Sequence, residues 1–360
     1  MNTRERISLL SDFSALFEPW TGPFESEILH RWLIAELGHE NALDEPIPHG
    51  PLNCQALAPT DLLHIVSGNT PHAAFQSLLR GLVVGAHNTV KLPSTGLPVF
   101  ERAVAQLPDK LRTQVILLRE LPDDWPQKFR TIVVFGSDET LTWFKTHSPP
   151  TTRLLLHGQK LSVGLVSSDL ENAAYLAARD VSMFDQQGCL SIHDLYLTSE
   201  AGASPHAFAE LLAVEMENFN QETPRTTLSS AESGEITALR ESVRFLAASQ
   251  PKEFALWQSA GSTDWTIIFE LSPTLKISPL NRVVYLKPWP ASPPAASLGA
   301  ALAHISTLAL HPFDTHPDQT LLTLGARRIC PLGETHNPSL FWHHDGLPPL
   351  ASLITWIDLG

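Results

Sequence analysis

Cysteine is scarce in this 360-residue chain: Cys54, Cys189 and Cys330 stand far apart. An odd, sparse set makes a poor disulfide framework. The expectation is a reducing, cytoplasmic setting, where a lone thiol stays available as a nucleophile. Positive charge is also short. Lys and Arg total 24 against 38 Asp and Glu, a formal charge of −14, and no Lys/Arg run occurs. That argues against nucleic acid as the main partner, because phosphate binding needs clustered cations. Long apolar runs are missing too. None approaches the roughly 20 residues that cross a bilayer, so no membrane span is expected. The start, Met1 to Phe13, is polar and lacks the apolar centre of a signal peptide. No internal repeat occurs. The Gly-x-Gly-x-x-Gly fingerprint is absent, which argues against a common Rossmann dehydrogenase.

What is present suits a globular α/β protein. Hydrophobic residues make up 43% and charged residues 17%, enough apolar material for one large domain or two ordinary ones. Leu9, Phe13, Leu16 and Phe17, then Leu29, Trp32, Leu33 and Leu37, recur at helical spacing. Pro46, Pro48 and Pro51 break that pattern. Leu62 to Val66 reads as a buried strand. A helix follows it, with Thr70 as cap and Pro71 in its first turn. Asn88 to Leu92 reads as the next strand, completing a strand–helix–strand unit of a parallel sheet. Further strands are expected at Thr113–Leu118, Thr131–Phe135, Arg153–Leu156, Ser162–Val166, Ile192–Leu197, Trp265–Leu271 and Arg282–Leu286. Helices are expected at Leu170–Met183, Pro205–Phe219 and Ala296–Leu310. Pro288 to Pro294 reads as a surface connector.

Cys189 follows a helix and the turn Gln186-Gln187-Gly188, and precedes a strand. A thiolate there can attack a carbonyl or thioester carbon, and Gly188 gives the turn conformational freedom. A buried structural cysteine is the competing reading. Asn69, at a strand end, can donate to a developing oxyanion, or can simply make the turn. Strand ends of a parallel sheet are where dinucleotides bind. Lys91 and Ser94 close one strand, and Gly136-Ser137 another, before a helix whose N–H groups could meet a pyrophosphate. Taken alone, a solvated lysine and an ordinary strand-to-helix turn are the simpler account of them. In Trp342-His343-His344-Asp345-Gly346 the adjacent histidines point apart and no third ligand is spaced to help, so no metal is expected. A lining role, or proton relay by His344, stays open.

The order of these pieces resembles the aldehyde dehydrogenase superfamily, and within it the bacterial long-chain acyl-CoA reductases that include the bioluminescence reductase. Ser67-Gly68-Asn69-Thr70-Pro71, then Asn88 through Ser94, resembles the opening cofactor unit, where the Asn serves an oxyanion hole and the Lys holds a ribose. Phe135-Gly136-Ser137 resembles the pyrophosphate turn, and His157-Gly158-Gln159-Lys160 the link into the catalytic domain. Asp185 through Ser191 resembles the nucleophile segment, and Cys330-Pro331-Leu332-Gly333 with the Trp-His-His-Asp-Gly stretch the C-terminus. The resemblance implies a Rossmann-type cofactor domain at 1–157 with a helical N-terminal extension, and an α/β catalytic domain at 158–327. A C-terminal segment, 328–360, should pack back on the body.

The implied activity is reduction of an acyl thioester, from CoA or a carrier protein, to an aldehyde through a thioester on Cys189. Asn69 and His344 would assist, and Ser67, Lys91, Ser94, Gly136, Ser137 and Gly158 would line the cofactor. The general-base Glu of aldehyde dehydrogenases is missing from Leu155-Leu156-His157-Gly158, which suits reduction rather than aldehyde oxidation. Ser94 stands where oxidative members often carry Glu, so a 2′-phosphate is not repelled and NADPH is the expected cofactor. A homo-oligomer and an acyl-transfer partner protein are further implications. The rival readings are a non-catalytic binding or assembly subunit, which the reduced N-terminal part suits, and an aldehyde-oxidising dehydrogenase.

Overall fold

The computed structural model describes residues 1–290 and 294–360, and the chain divides into two compact units, Met1–Gln159 with Asn337–Gly360 and Lys160–His336. The first unit is built on a five-stranded sheet: β3 (Asp61–Ile65), β4 (His87–Lys91), β5 (Val115–Leu118), β6 (Thr131–Phe135) and β7 (Arg153–His157), in the order β5-β4-β3-β6-β7. Every pairing in it is parallel. The chain runs outward from β3 through β4 to β5, then restarts at β6 on the other side. That reversal is a topological switch point, which opens a crevice at the strands' C-terminal ends.

Local chemistry explains the first crossover. Leu62, Leu63 and His64 are fully buried, so β3 shows a continuous rather than alternating pattern. The following helix is His72–Val84. Pro71, not Thr70, is its cap residue, and no side-chain capping bond forms. Gly85 ends it in the left-handed conformation, φ 84°, which suits glycine at a helix C-terminus. A separate antiparallel sheet joins β1 (Ile47–His49), β2 (Leu52–Leu57) and the last strand, Thr355–Leu359. Leu350, Leu353 and Ile354 are buried with Phe75, Phe100 and Trp32 in the principal core of this unit.

Among the described residues the second unit carries seven strands in the order β10-β11-β12-β9-β8-β13-β14. They are β8 (Leu161–Val166), β9 (Ile192–Leu197), β10 (Phe254–Gln258), β11 (Thr266–Glu270), β12 (Val283–Pro288), β13 (Ile305–His311) and β14 (Arg328–Pro331). Only β10 and β11 pair antiparallel.

One expectation is overturned here. Ala296–Leu310 is not a helix: Pro294–Leu298 is helical, Ala300–His304 is a 3-10 turn, and β13 occupies an interior position in the sheet. A strand buried on both faces shows no period-two alternation, so its apolar run passes for a helix. The helix Ser230–Ser249 was not anticipated, although Ser229 and Glu232 form a capping box at its start. Of the connector expected at Pro288–Pro294, residues 291–293 lie outside the described part of the chain, and Pro288 itself ends β12.

Candidate active site

In the first unit the C-terminal ends of four strands bring together residues far apart in sequence. Ser67 follows β3, Lys91 ends β4, Gly136 and Ser137 follow β6, and Gly158 follows β7. Asn69 and Ser94 are exposed in the loops after β3 and β4, and Lys91 is half-buried. Ser137 caps the helix Asp138–His147, its Oγ accepting from Thr140 N–H at 3.4 Å. Asp138 and Glu139 already lie in that helix's first turn, where carboxylates favour the positive end of the dipole and oppose a further anion. Gly136 and Gly158 have a packing role. A Cβ on Gly136 would lie 3.0 Å from Thr140, and one on Gly158 would lie 2.8 Å from Leu141.

Arg119 was not foreseen from the sequence. It follows β5 and packs over Gly96, in the loop carrying Ser94, with Glu101 at 2.7 Å. Nothing in the local sequence marks it. Only the pairing of β4 with β5 puts a cation beside that loop.

His344 lies in a buried aromatic and polar stack within the same unit. Its ring centroid is 4.6 Å from Trp342 and 4.2 Å from His157, which stacks 4.6 Å from Phe135. Arg80 donates to Nδ1 of His344 from both terminal nitrogens, at 3.3 and 3.4 Å. That leaves the ring proton on Nε2, which is 3.9 Å from Asp345 Oδ2. The same carboxylate oxygen takes Nδ1 of His157 at 2.7 Å. Burial pulls Arg80 down to about 10, with Glu36 and Asp345 opposing the shift, so it stays charged at neutral pH. A cavity of about 20 Å³ beside Arg80, His157 and His344 has room for one water.

His157, His344 and Asp345 offer three donor atoms within 4.8 Å of one another, a grouping that local spacing missed because His157 arrives on β7. Arg80 nonetheless occupies the second nitrogen of His344, and a divalent cation there would face its guanidinium charge. The group suits a proton-bearing network better than a cation site.

In the second unit the helix Leu170–Ser182 runs into a turn that presents Cys189, which is exposed, whereas Cys54 and Cys330 are buried. Burial pushes the Cys330 thiol up to about 12, so it stays protonated and unreactive. Gly188 does not supply the turn's unusual backbone. Phe184, Asp185 and Gln186 do, at φ 52°, 53° and 63°. Each non-glycine residue in this left-handed region costs on the order of 1 kcal/mol or more. Gln186 is fully buried and bridges two strands: its amide donates to the carbonyls of Ile192 and Val283 and accepts from Val283 N–H. Below the turn, His336 donates Nε2–H to the Asp180 carbonyl at 3.0 Å, and burial holds its pKa down to about 4. Asp180 receives the N–H groups of Gly333 and Thr335, and burial raises it to about 6.

Comparison with known proteins fits this architecture. The sequence model of the family described as acyl-CoA reductase (LuxC) matches residues 7–356. The long-chain acyl-protein thioester reductase of Aliivibrio fischeri is 23% identical over 345 residues, covering 90% of this chain and 68% of the relative. That of Photorhabdus luminescens is 24% identical with the same coverage. Among solved structures, an aldehyde dehydrogenase from Brucella melitensis superposes with a TM-score of 0.67 at 12% identity, covering 100% of this chain and 86% of that one. The γ-glutamyl-γ-aminobutyraldehyde dehydrogenase of Burkholderia cenocepacia reaches 0.70 at 13% identity, covering 99% and 84%. The fold is that of the aldehyde dehydrogenases. No helix among the described residues is long and apolar enough to cross a membrane.

Proposed function

The chain belongs to the acyl-CoA reductase (LuxC) family, and from that premise we propose that it reduces an acyl thioester to an aldehyde through an acyl group held on Cys189. The observation that carries this reading is the contrast among the three thiols. Cys189 alone is exposed, while the other two are buried.

The Cys189 thiolate attacks the thioester carbonyl carbon. The tetrahedral adduct collapses and the donor leaves as a thiolate, which takes a proton from water. When bound, a nicotinamide cofactor supplies the hydride that reduces the acyl group. Collapse of the resulting adduct breaks the carbon–sulfur bond, releases the aldehyde and returns the thiolate. The stretch Leu155-Leu156-His157-Gly158 offers no carboxylate base to activate water. That supports transfer and reduction over hydrolysis.

The crevice at the switch point of the first unit fits a dinucleotide, with Lys91 and the half-buried Gly136 at strand ends. We assign NADPH rather than NADH. Ser94 itself is no carboxylate, and Arg119, which shares its charge with Glu101 at 2.7 Å beside the Ser94–Gly96 loop, is the cation assigned to a 2′-phosphate. Relatives are named for acyl-protein substrates, so a protein-bound thioester is the proposed donor, with acyl-CoA as a second source of the same chemistry. His344 is assigned a proton-holding role within the Arg80–Asp345–His157 network.

The test is intact mass after mixing the protein with a long-chain acyl-CoA or acyl-carrier protein without cofactor. An acyl adduct on wild type, absent from Cys189→Ala and discharged as aldehyde by NADPH, is the expected result. If neither donor leaves an adduct, the reading fails and a binding or assembly subunit takes its place. Release of carboxylate instead of aldehyde would overturn the reductive assignment.

A further inference from the structure

The turn before Cys189 is one of two strained segments that hold each other. Leu280, Asn281 and Arg282 also stand at positive φ, 65°, 56° and 64°. Asp and Asn tolerate this region, but Phe184, Gln186, Leu280 and Arg282 do so only where surrounding contacts over-determine the backbone. Here they do. Asn281 N–H donates to the Asp185 carbonyl at 3.1 Å, and Gln187 donates to the Asn281 side chain at 2.9 Å. The Asp185 carboxylate faces the Arg282 guanidinium at 2.7 Å as an ion pair. Its other oxygen accepts from Thr226 N–H at 3.1 Å and Thr226 Oγ1 at 2.6 Å. Arg282, 2% exposed, also donates to Asn220 Oδ1 at 2.9 Å and the Thr223 carbonyl at 3.0 Å from its two terminal nitrogens.

We propose that Asp185 and Arg282 are positioning residues for the Cys189 thiol: their ion pair locks the two left-handed segments together and so fixes the direction in which the thiol meets the acyl carbon. This rests on Cys189 being the nucleophile. The chemical reason is orientation. Attack on a thioester requires the sulfur to approach the carbonyl carbon along a narrow range of directions, and a small misplacement lowers the rate without altering affinity for the rest of the substrate. Stabilising the fold does not require this arrangement, since an ordinary glycine-containing turn would connect the helix to β9 without strain. Strain kept in place by a buried pair, whose Asp185 stands four residues ahead of an exposed thiol, is the arrangement that preorganised attack needs.

The variants are Asp185→Asn and Arg282→Gln, with Thr226→Val as a milder change at an exposed position and Arg282→Lys as the conservative one. Two measurements are compared on the full chain: single-turnover acylation with acyl-carrier protein, and alkylation by iodoacetamide counted by intact mass. A small neutral alkylating reagent needs an exposed thiolate but little orientation. Acylation in Asp185→Asn and Arg282→Gln should fall by about tenfold to a hundredfold with substrate affinity unchanged, while alkylation of Cys189 stays close to wild type. Thr226→Val should show a smaller fall of the same kind, and Arg282→Lys should recover part of the loss.

Unchanged acylation in variants that keep one alkylated cysteine would overturn the proposal. So would a fall accompanied by alkylation of Cys54 and Cys330, because the pair would then only be holding the fold. Cys189→Ala separates this from the underlying reading. If that variant still acylates, the nucleophile assignment fails; if it does not, the clamp is tested on its own.

Discussion

His157 and Asp345, 188 residues apart, share a hydrogen bond of 2.7 Å in a buried site. It ties the segment after Asn337 to the end of β7, and the same carboxylate is one of two acidic groups that offset the buried charge of Arg80. Asp345 itself stands at φ 54°, a left-handed backbone that Asp tolerates.

Removing that carboxylate should be costly. Asp345→Ala is expected to lower unfolding free energy by about 3 kcal/mol, because it leaves Arg80 buried with weaker compensation. Asp345→Asn should cost less, since it keeps an oxygen for His157. Urea unfolding followed by tryptophan fluorescence checks both. A loss under about 0.5 kcal/mol for the Ala variant would mean that the network adds little stability.

Lys287 and Asp194 form an ion pair with no solvent exposure on either side chain, on adjacent strands β12 and β9. Lys287→Met alone should destabilise by roughly 3–5 kcal/mol, leaving Asp194 buried without its cation. The double variant Lys287→Met with Asp194→Leu should recover much of that loss, because neither charge is then taken out of water. Thermal unfolding of the three proteins decides whether the coupling has this sign.

His64 gives a pH signature. It is fully buried between Ser77 at 2.6 Å and Asn88 at 3.0 Å, and desolvation lowers it to about 4 from 6.5. The unfolded chain therefore binds a proton that the folded chain refuses between those values. The stability concerned is complete above about 6.5 and is lost as pH falls towards 4, by up to about 1.4 kcal/mol per pH unit. His64→Gln should remove this slope relative to wild type. Equal slopes from pH 7 to 5 in both proteins would refute the assignment.

Cofactor choice is open to a direct measurement. Ser94→Glu should raise KM for NADPH about tenfold or more by setting a carboxylate against the 2′-phosphate, and should leave KM for NADH little changed. Arg119→Ala should weaken NADPH in the same direction. If both variants leave the ratio of the two cofactors unaltered, the 2′-phosphate is held elsewhere.

Much of the fold was legible because buried parallel strands and amphipathic helices write themselves into short-range patterns. Leu62 to Ile65, Thr131 to Phe135 and Ile192 to Leu197 all form strands where apolar runs end at turn residues. β13 was misread because a strand covered on both faces carries no alternation. The capping box at Ser229 was present in the sequence and simply carried a helix that its moderate apolar content did not advertise.

Taken by itself, the sequence determined the α/β class, the family likeness and Cys189 as the thiol to consider, because those depend on residue types at short separations. Tertiary structure decided the rest. The left-handed turn before Cys189 is held by Arg282 and Asn281, the His344 network is completed by Arg80 and His157, and Arg119 reaches the Ser94 loop only through strand pairing. Each depends on side chains tens to hundreds of residues apart meeting in a low-dielectric interior. No local spacing encodes that, since only the folded packing sets which groups lose water together and must satisfy one another.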